Sequence, residues 1–171
     1  QILGFVTDEN NILNECNIME INEEEAKEFN ERYNLQGHIT SSLYIGMYCN
    51  NELKSMLSLQ KENDNKWRVV RFTNNVNNNL IVNSIINYFI DKYKPNKIEA
   101  YEDRRWVANS NDSIYRRTGF ELVDIIPPDY GYTKGQNDYI NKEKLKDCHL
   151  SNDYYRIYDC GQYKYEWKNV N

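Results

Sequence analysis

Apolar positions change period along the chain, and the changes lay out its elements. Val82, Ile85, Ile86, Phe89, Ile90 and Tyr93 recur at three- and four-residue steps, which predicts an amphipathic helix stopped by Pro95. Its stripe is the packing face expected against a sheet. Ser42–Cys49 and Glu52–Gln60 are apolar runs joined at Asn50-Asn51, the signature of a tight hairpin. Asn63-Asp64-Asn65-Lys66 makes a second turn before a strand over Trp67–Thr73, so three strands form an antiparallel meander. Lys97–Tyr101 is the strand after the helix. A strand–helix–strand connection of this length makes Trp67–Thr73 and Lys97–Tyr101 parallel.

Shorter elements flank this centre. Asn17–Ile21 reads as a first core strand, and Asn22 caps a helix with Glu25 in the capping-box position. Ala26, Phe29 and Tyr33 line one face of that helix, which ends near Asn34, ahead of Gly37. Asn111–Thr118 predicts a short helix with Gly119 at its C-terminal cap. Phe120–Ile126 is a strand ending at Pro127-Pro128, and Tyr130–Thr133 reads as its resumption. Asn141–Asp147 is expected as a brief helix, and Tyr154–Trp167 as a closing hairpin around Asp159-Cys160-Gly161. Ile2–Thr7 and Asn11–Asn14 pattern as an N-terminal hairpin, or as the remnant of a preceding segment. The expected fold class is α+β: one domain over residues 1–171, with a mixed, mostly antiparallel central sheet flanked by helices and a C-terminal β-hairpin.

Composition narrows the function classes. The chain is 40% hydrophobic and 27% charged, ordinary for a globular domain. A net charge of −5 argues against coating nucleic acid non-specifically. The charge is unevenly spread, however. Six of the eight arginines (Arg68, Arg71, Arg104, Arg105, Arg116, Arg117) fall within residues 68–117, which leaves room for a local basic face. The four cysteines show no C-x-x-C spacing and are expected as free thiols in a reducing cytosol. Cys148, His149 and Cys160 lack a fourth ligand at workable spacing, so no metal is expected. No apolar run approaches the roughly 20 residues that span a membrane, and no signal peptide is visible. A cytoplasmic protein with no membrane partner is expected. The chain starts at Gln1 with no initiator Met, as a processed form or a piece of a longer protein would.

Candidate chemistry concentrates in Lys97–Trp106 and Ser113–Phe120. Arg104 and Arg105 could hold a phosphate while Asp103 accepts a proton or orients a base edge. Equally, Asp103 could cap the following turn and pair with one arginine. Tyr101 reads as a core tyrosine at a strand end or a site residue, and Trp106 as a base-stacking surface or a cover for the core edge. Arg116 and Arg117 read as a solvated helix face or as phosphate contacts. His38 and His149 have no obvious carboxylate, Ser or Cys partner and are assigned no role.

The element order, with Tyr115-Arg116-Arg117-Thr118-Gly119-Phe120 after the second crossover, resembles the GNAT acyltransferase superfamily. The resemblance implies that the two middle strands splay and that acyl-CoA lies in the notch between them. It further implies that the loop before the long helix holds the pyrophosphate, and that Tyr115 protonates the leaving thiolate. A narrower resemblance is to a phage GNAT-like domain of the Hef-like or homing-endonuclease-associated kind. It rests on Cys16-Asn17-Ile18-Met19-Glu20-Ile21, Leu35-Gln36-Gly37, Tyr101-Glu102-Asp103-Arg104-Arg105-Trp106, Ile114-Tyr115, Gly119-Phe120, Pro128-Asp129-Tyr130 with Tyr132, and Tyr158-Asp159-Cys160-Gly161. More distantly the chain is similar to Mom-type proteins, which act on adenine in DNA.

The departures shape the functional expectation. No glycine lies between Gly46 and Gly119, so the pyrophosphate loop offers Asn77, Asn78 and Asn79 where the families have glycines. Asn34 stands where the phage family has His, and Arg68 where it has Glu. The resulting expectation is a nucleic-acid-directed binding or accessory module with a degenerate acyl-CoA loop, using Arg68, Arg71, Arg104, Arg105, Trp106, Arg116 and Arg117. Two alternatives stay open: a factor that binds a host protein, or an active transferase with Asp103 and Tyr115 catalytic. No cofactor is expected on the first reading; acetyl-CoA belongs to the transferase. An open notch beside Tyr115 favours the transferase, and side chains filling it would end that reading.

Overall fold

A computed structural model describes residues 16–76, 79–107, 109–135, 138–142 and 153–169. The elements in chain order are β1 (Cys16–Glu20), α1 (Glu23–Tyr33), β2 (Leu43–Cys49), β3 (Glu52–Lys61), β4 (Lys66–Asn74), α2 (Asn79–Tyr93), β5 (Lys97–Asp103), α3 (Ile114–Arg117), β6 (Glu121–Ile126), β7 (Tyr130–Gly135), β8 (Asp138–Asn141), β9 (Tyr155–Tyr158) and β10 (Gln162–Lys168). They form a seven-stranded sheet, order β1-β2-β3-β4-β5-β10-β6, and a three-stranded sheet, order β8-β7-β9. Among the described residues every pairing is antiparallel except β4 with β5. This is the expected mixed α+β sheet, with β7–β8 as a C-terminal antiparallel pair.

Local chemistry explains the element ends. Asn22 Oδ1 accepts the Glu25 N–H at 2.9 Å and caps α1. Asn50 and Asn51 take φ of 54° and 61°, the left-handed pair that a two-residue hairpin between right-twisted strands requires. Strand alternation then sorts the core onto two faces. Ile45, Trp67, Val69, Ile98, Ala100 and Tyr165 pack with Ile85, Ile86 and Phe89 of α2. Tyr44 and Met56 pack instead with Ala26 and Phe29 of α1.

Several expectations need correction. The strands around Asp159-Cys160-Gly161 do not pair with each other. β9 joins β7 in the small sheet, while β10 enters the main sheet between β5 and β6. Gly161 makes this corner possible: its φ is +74°, and a Cβ there would lie 2.4 Å from the Ile126 carbonyl oxygen. Tyr130–Thr133 likewise belongs to the small sheet rather than resuming β6. Asn141 ends a strand; residues 143–147 of the helix expected there, and the N-terminal hairpin expected over residues 2–14, lie outside the described residues.

The cysteines are corrected too. Cys16 and Cys49 face each other in the β1–β2 register and form a disulfide, closing 33 residues of chain. Cys160 is free and exposed, and Cys148 and His149 lie outside the described residues. Among the described residues no group of three or more His, Cys, Asp or Glu could hold a metal, and no helix is long and apolar enough to cross a membrane.

Candidate active site

β4 and β5 are joined for only a few residues. Their parallel ladder pairs Lys66 with Lys97, Trp67 with Ile98 and Arg68 with Glu99, and then the strands part. A bulge on β4 sits just beyond the parting point: Val69 faces Leu59 and Arg71 faces Ser58 on β3, which leaves Val70 unpaired between them. An extra residue bends a strand and adds twist. Between the separated strands lies a cavity of about 970 Å³.

The β4 wall is tied to the end of α1. Thr73 Oγ1 donates to Asn30 Oδ1 at 2.6 Å and accepts from Asn34 Nδ2 at 2.9 Å. Asn34 therefore fastens helix to strand. Arg71 reaches the following loop, donating from Nε to the Gly37 carbonyl at 3.2 Å and from Nη1 to the Val70 carbonyl at 2.9 Å. Arg68 pairs with Glu62 at 3.6 Å, and both arginines line the cavity.

The opposite wall is built from the end of β5 and from α3. Ser113 Oγ accepts the Tyr115 N–H at 3.1 Å and starts the short helix; Gly119 at φ +85° ends it, letting the Phe120 N–H return to the Tyr115 carbonyl at 3.0 Å. Tyr115 is thereby inserted beside Phe120 and Tyr165, with ring centroids 5.5 and 5.7 Å away, and is only 5% exposed. Burial first, and then the negative charge of Glu102, pushes its phenol well above the ordinary tyrosine value.

Glu102 is the residue that the motif reading passed over. Strand alternation points it to the same face as Ile98 and Ala100, into the cavity beside Tyr115. Desolvation raises its pKa above the ordinary carboxylate value, although hydrogen bonds from Ser113 and Tyr165 oppose the shift. Its Oε2 is buried with no partner. Tyr165 is itself pushed up to about 12, chiefly by burial. The usable signal was there: a carboxylate at a core-facing position of a strand.

The structure divides the expected site residues among several places. Asp103 Oδ1 accepts the Arg105 N–H at 2.8 Å, so it does cap the turn, and it also lines the cavity with Tyr101 and Trp106. The Arg104 guanidinium packs over Tyr163, 5.4 Å from the ring centroid. Arg105 is exposed and stands 6.0 Å from the Trp106 ring centroid, and Trp106 is 64% exposed. Arg116 and Arg117 are exposed around a separate depression with Gly119 and Glu121. Asn77 and Asn78 lie outside the described residues, and Asn79 is the first residue of α2. His38 does have a carboxylate neighbour, contrary to expectation: its Nε2 lies 3.4 Å from Glu23 Oε1.

No family model matches the chain, and no curated protein matches it in sequence. Solved structures do. A GNAT family acetyltransferase from Elizabethkingia anophelis with acetyl-CoA bound superposes with a TM-score of 0.59 at 11% identity, over 91% of this chain and 99% of that one. The ribosomal-protein-S18-alanine N-acetyltransferase of Escherichia coli gives 0.59 at 8% identity, over 90% and 93%. An IAA acetyltransferase from Bacillus cereus gives 0.58 at 11% identity, over 90% and 99%. The chain has the GNAT acetyltransferase fold.

Proposed function

We propose that the protein is an acyl-CoA-dependent N-acyltransferase working in the notch between β4 and β5. The observation that carries this reading is the open cavity of about 970 Å³ beside Tyr115 and the buried carboxylate of Glu102. Of the described residues between β4 and α2, Val76 packs against the core and neither Asn75 nor Val76 lines the cavity, while Asn74 at the end of β4 borders it.

The residues present fit an acyl-CoA. Beyond Arg68 and Glu99 the facing edges of β4 and β5 have no ladder partner, so their N–H and C=O groups can pair with an extended, amide-bearing chain. The first turn of α2 contains no acidic residue and can receive a pyrophosphate at the helix N-terminus. Bound there, acetyl-CoA would supply an activated acyl group and a thiolate leaving group. Glu102, its pKa raised by burial and its Oε2 unpartnered, is suited to take a proton from an ammonium group. Tyr115, held above the ordinary tyrosine value, stays protonated at neutral pH and can donate from Oη.

The test is a melting curve with and without acetyl-CoA. Ligand at a hundred-fold excess over Kd stabilises by ~2.7 kcal/mol, so a rise of about 5 °C or more is expected. A flat response at millimolar ligand contradicts the reading.

A second reading keeps the nucleic-acid-directed accessory module of the phage type. It is favoured by Arg105 beside an indole that is 64% exposed, an arrangement suited to stacking on a base. Salt-sensitive DNA affinity that falls in Arg104→Ala/Arg105→Ala supports it; no such affinity removes it.

A further inference from the structure

The two walls of the notch carry opposite charge. β4 contributes Arg68 and Arg71, and β5 contributes Glu102 and Asp103, all lining the same cavity. Arg71 is the more informative of the cations. It is part-buried and its hydrogen bonds go to two neutral carbonyls, those of Gly37 and Val70. Among the described residues no carboxylate pairs with it, and burial alone acts on its pKa, in the downward direction. Holding a guanidinium partly dehydrated without a counter-charge is costly, and an incoming anion relieves that cost. Across the cavity, Glu102 has the complementary deficiency: a buried Oε2 with no donor.

We infer that the acceptor is a small zwitterion: an amine that also carries a carboxylate or a phosphate, its anion held at Arg71 and its ammonium group at Glu102. The inference rests on the transferase reading for what becomes of the amine, not for the binding itself. Arg68 lies on the same wall and, shared with Glu62 at 3.6 Å, adds a smaller part of the attraction for the anion. A polycationic acceptor would set positive charge against both arginines, and a simple amine would leave Arg71 unanswered. The cavity volume suits a small molecule.

The test is calorimetric titration of four probes into the protein: β-alanine, O-phosphoethanolamine, propylamine and propionate. At least one zwitterion should bind about ten-fold or more tighter than either singly charged probe, as expected for a hydrogen-bonded charge contact. Which zwitterion is favoured separates carboxylate from phosphate. Arg71→Gln should erase the margin over propylamine, and Arg71→Lys should keep part of it. Because Arg71 also holds the Gly37 carbonyl, melting curves accompany each variant, and Arg68→Gln serves as a second probe of the same wall, expected to narrow the margin. Equal affinity for propylamine and the zwitterions overturns the inference. So does binding of none of the four, or a margin that survives Arg71→Gln in a folded protein. Acetyl-CoA titrated into the same samples separates the two claims. Binding of acetyl-CoA without the zwitterion margin defeats this inference alone, and the margin without acetyl-CoA binding defeats the transferase reading alone.

Discussion

Arg68 and Glu99 are the last partners of the parallel ladder, and the cavity opens directly beyond them. Glu99 also anchors the closed end of the notch. Only 5% exposed, it meets Lys97 at 3.0 Å, Lys164 at 3.1 Å and Lys66 at 3.1 Å, so one carboxylate ties β4, β5 and β10 together.

Burial would raise the Glu99 pKa, but the hydrogen bonds from Lys97, Lys164 and Lys66 outweigh it and hold it at about 2. A depressed folded value means that the ionised group stabilises the fold above the ordinary value of 4.5, and that this stability is lost as pH falls toward about 2. Glu99→Gln is expected to cost on the order of 3 kcal/mol at pH 7 in urea unfolding. Its difference from wild type should shrink on acidification below pH ~4.5. A pH-independent difference would contradict the account.

Glu102 has the opposite sign. Its folded pKa lies above the ordinary carboxylate value, so its ionisation destabilises the fold as pH rises through that window. Glu102→Gln should therefore raise the melting temperature at neutral pH, with the gain vanishing in acid. The same variant should lose the acidic limb of the pH–rate profile and slow turnover by ~10²-fold or more. A destabilised Glu102→Gln protein would show that the carboxylate is structural.

Tyr115→Phe removes only the phenolic oxygen from a packed ring. Acetyl-CoA affinity should hold within about two-fold while kcat falls ~10²-fold or more. Unchanged kcat would place the proton donor elsewhere.

Much of the frame was legible because local chemistry dictates it. Asn50-Asn51, Asn22 with Glu25, and Pro95 each act within a few residues, and the strand–helix–strand connection allows one sensible pairing. What escaped depends on partners far apart in sequence. Alternation in Tyr163 and Tyr165 marks a strand but does not say that it enters between β5 and β6. Cys16 and Cys49, or His38 and Glu23, meet only once strands and loops are placed. Glu102 was overshadowed by its neighbours Asp103, Arg104 and Arg105, whose density draws the eye although one caps a turn and another packs on Tyr163.

The Cys16–Cys49 bond restricts the unfolded chain. Closing a loop of 33 residues is worth about 3–4 kcal/mol, so reductant, or Cys16→Ser with Cys49→Ser, should lower the unfolding free energy by that order. Thiol counting under denaturing conditions checks the bond itself. All four cysteines reacting without reductant would contradict it.

Amide hydrogen exchange reads the notch itself, because the unpaired edges of β4 and β5 are where an acyl-CoA would be gripped. Acetyl-CoA should slow exchange in Val69–Asn74 and Ala100–Asp103 while leaving the β1–β2 pair unchanged. No added protection in those two segments, or protection only at Arg116 and Arg117, would contradict that placement.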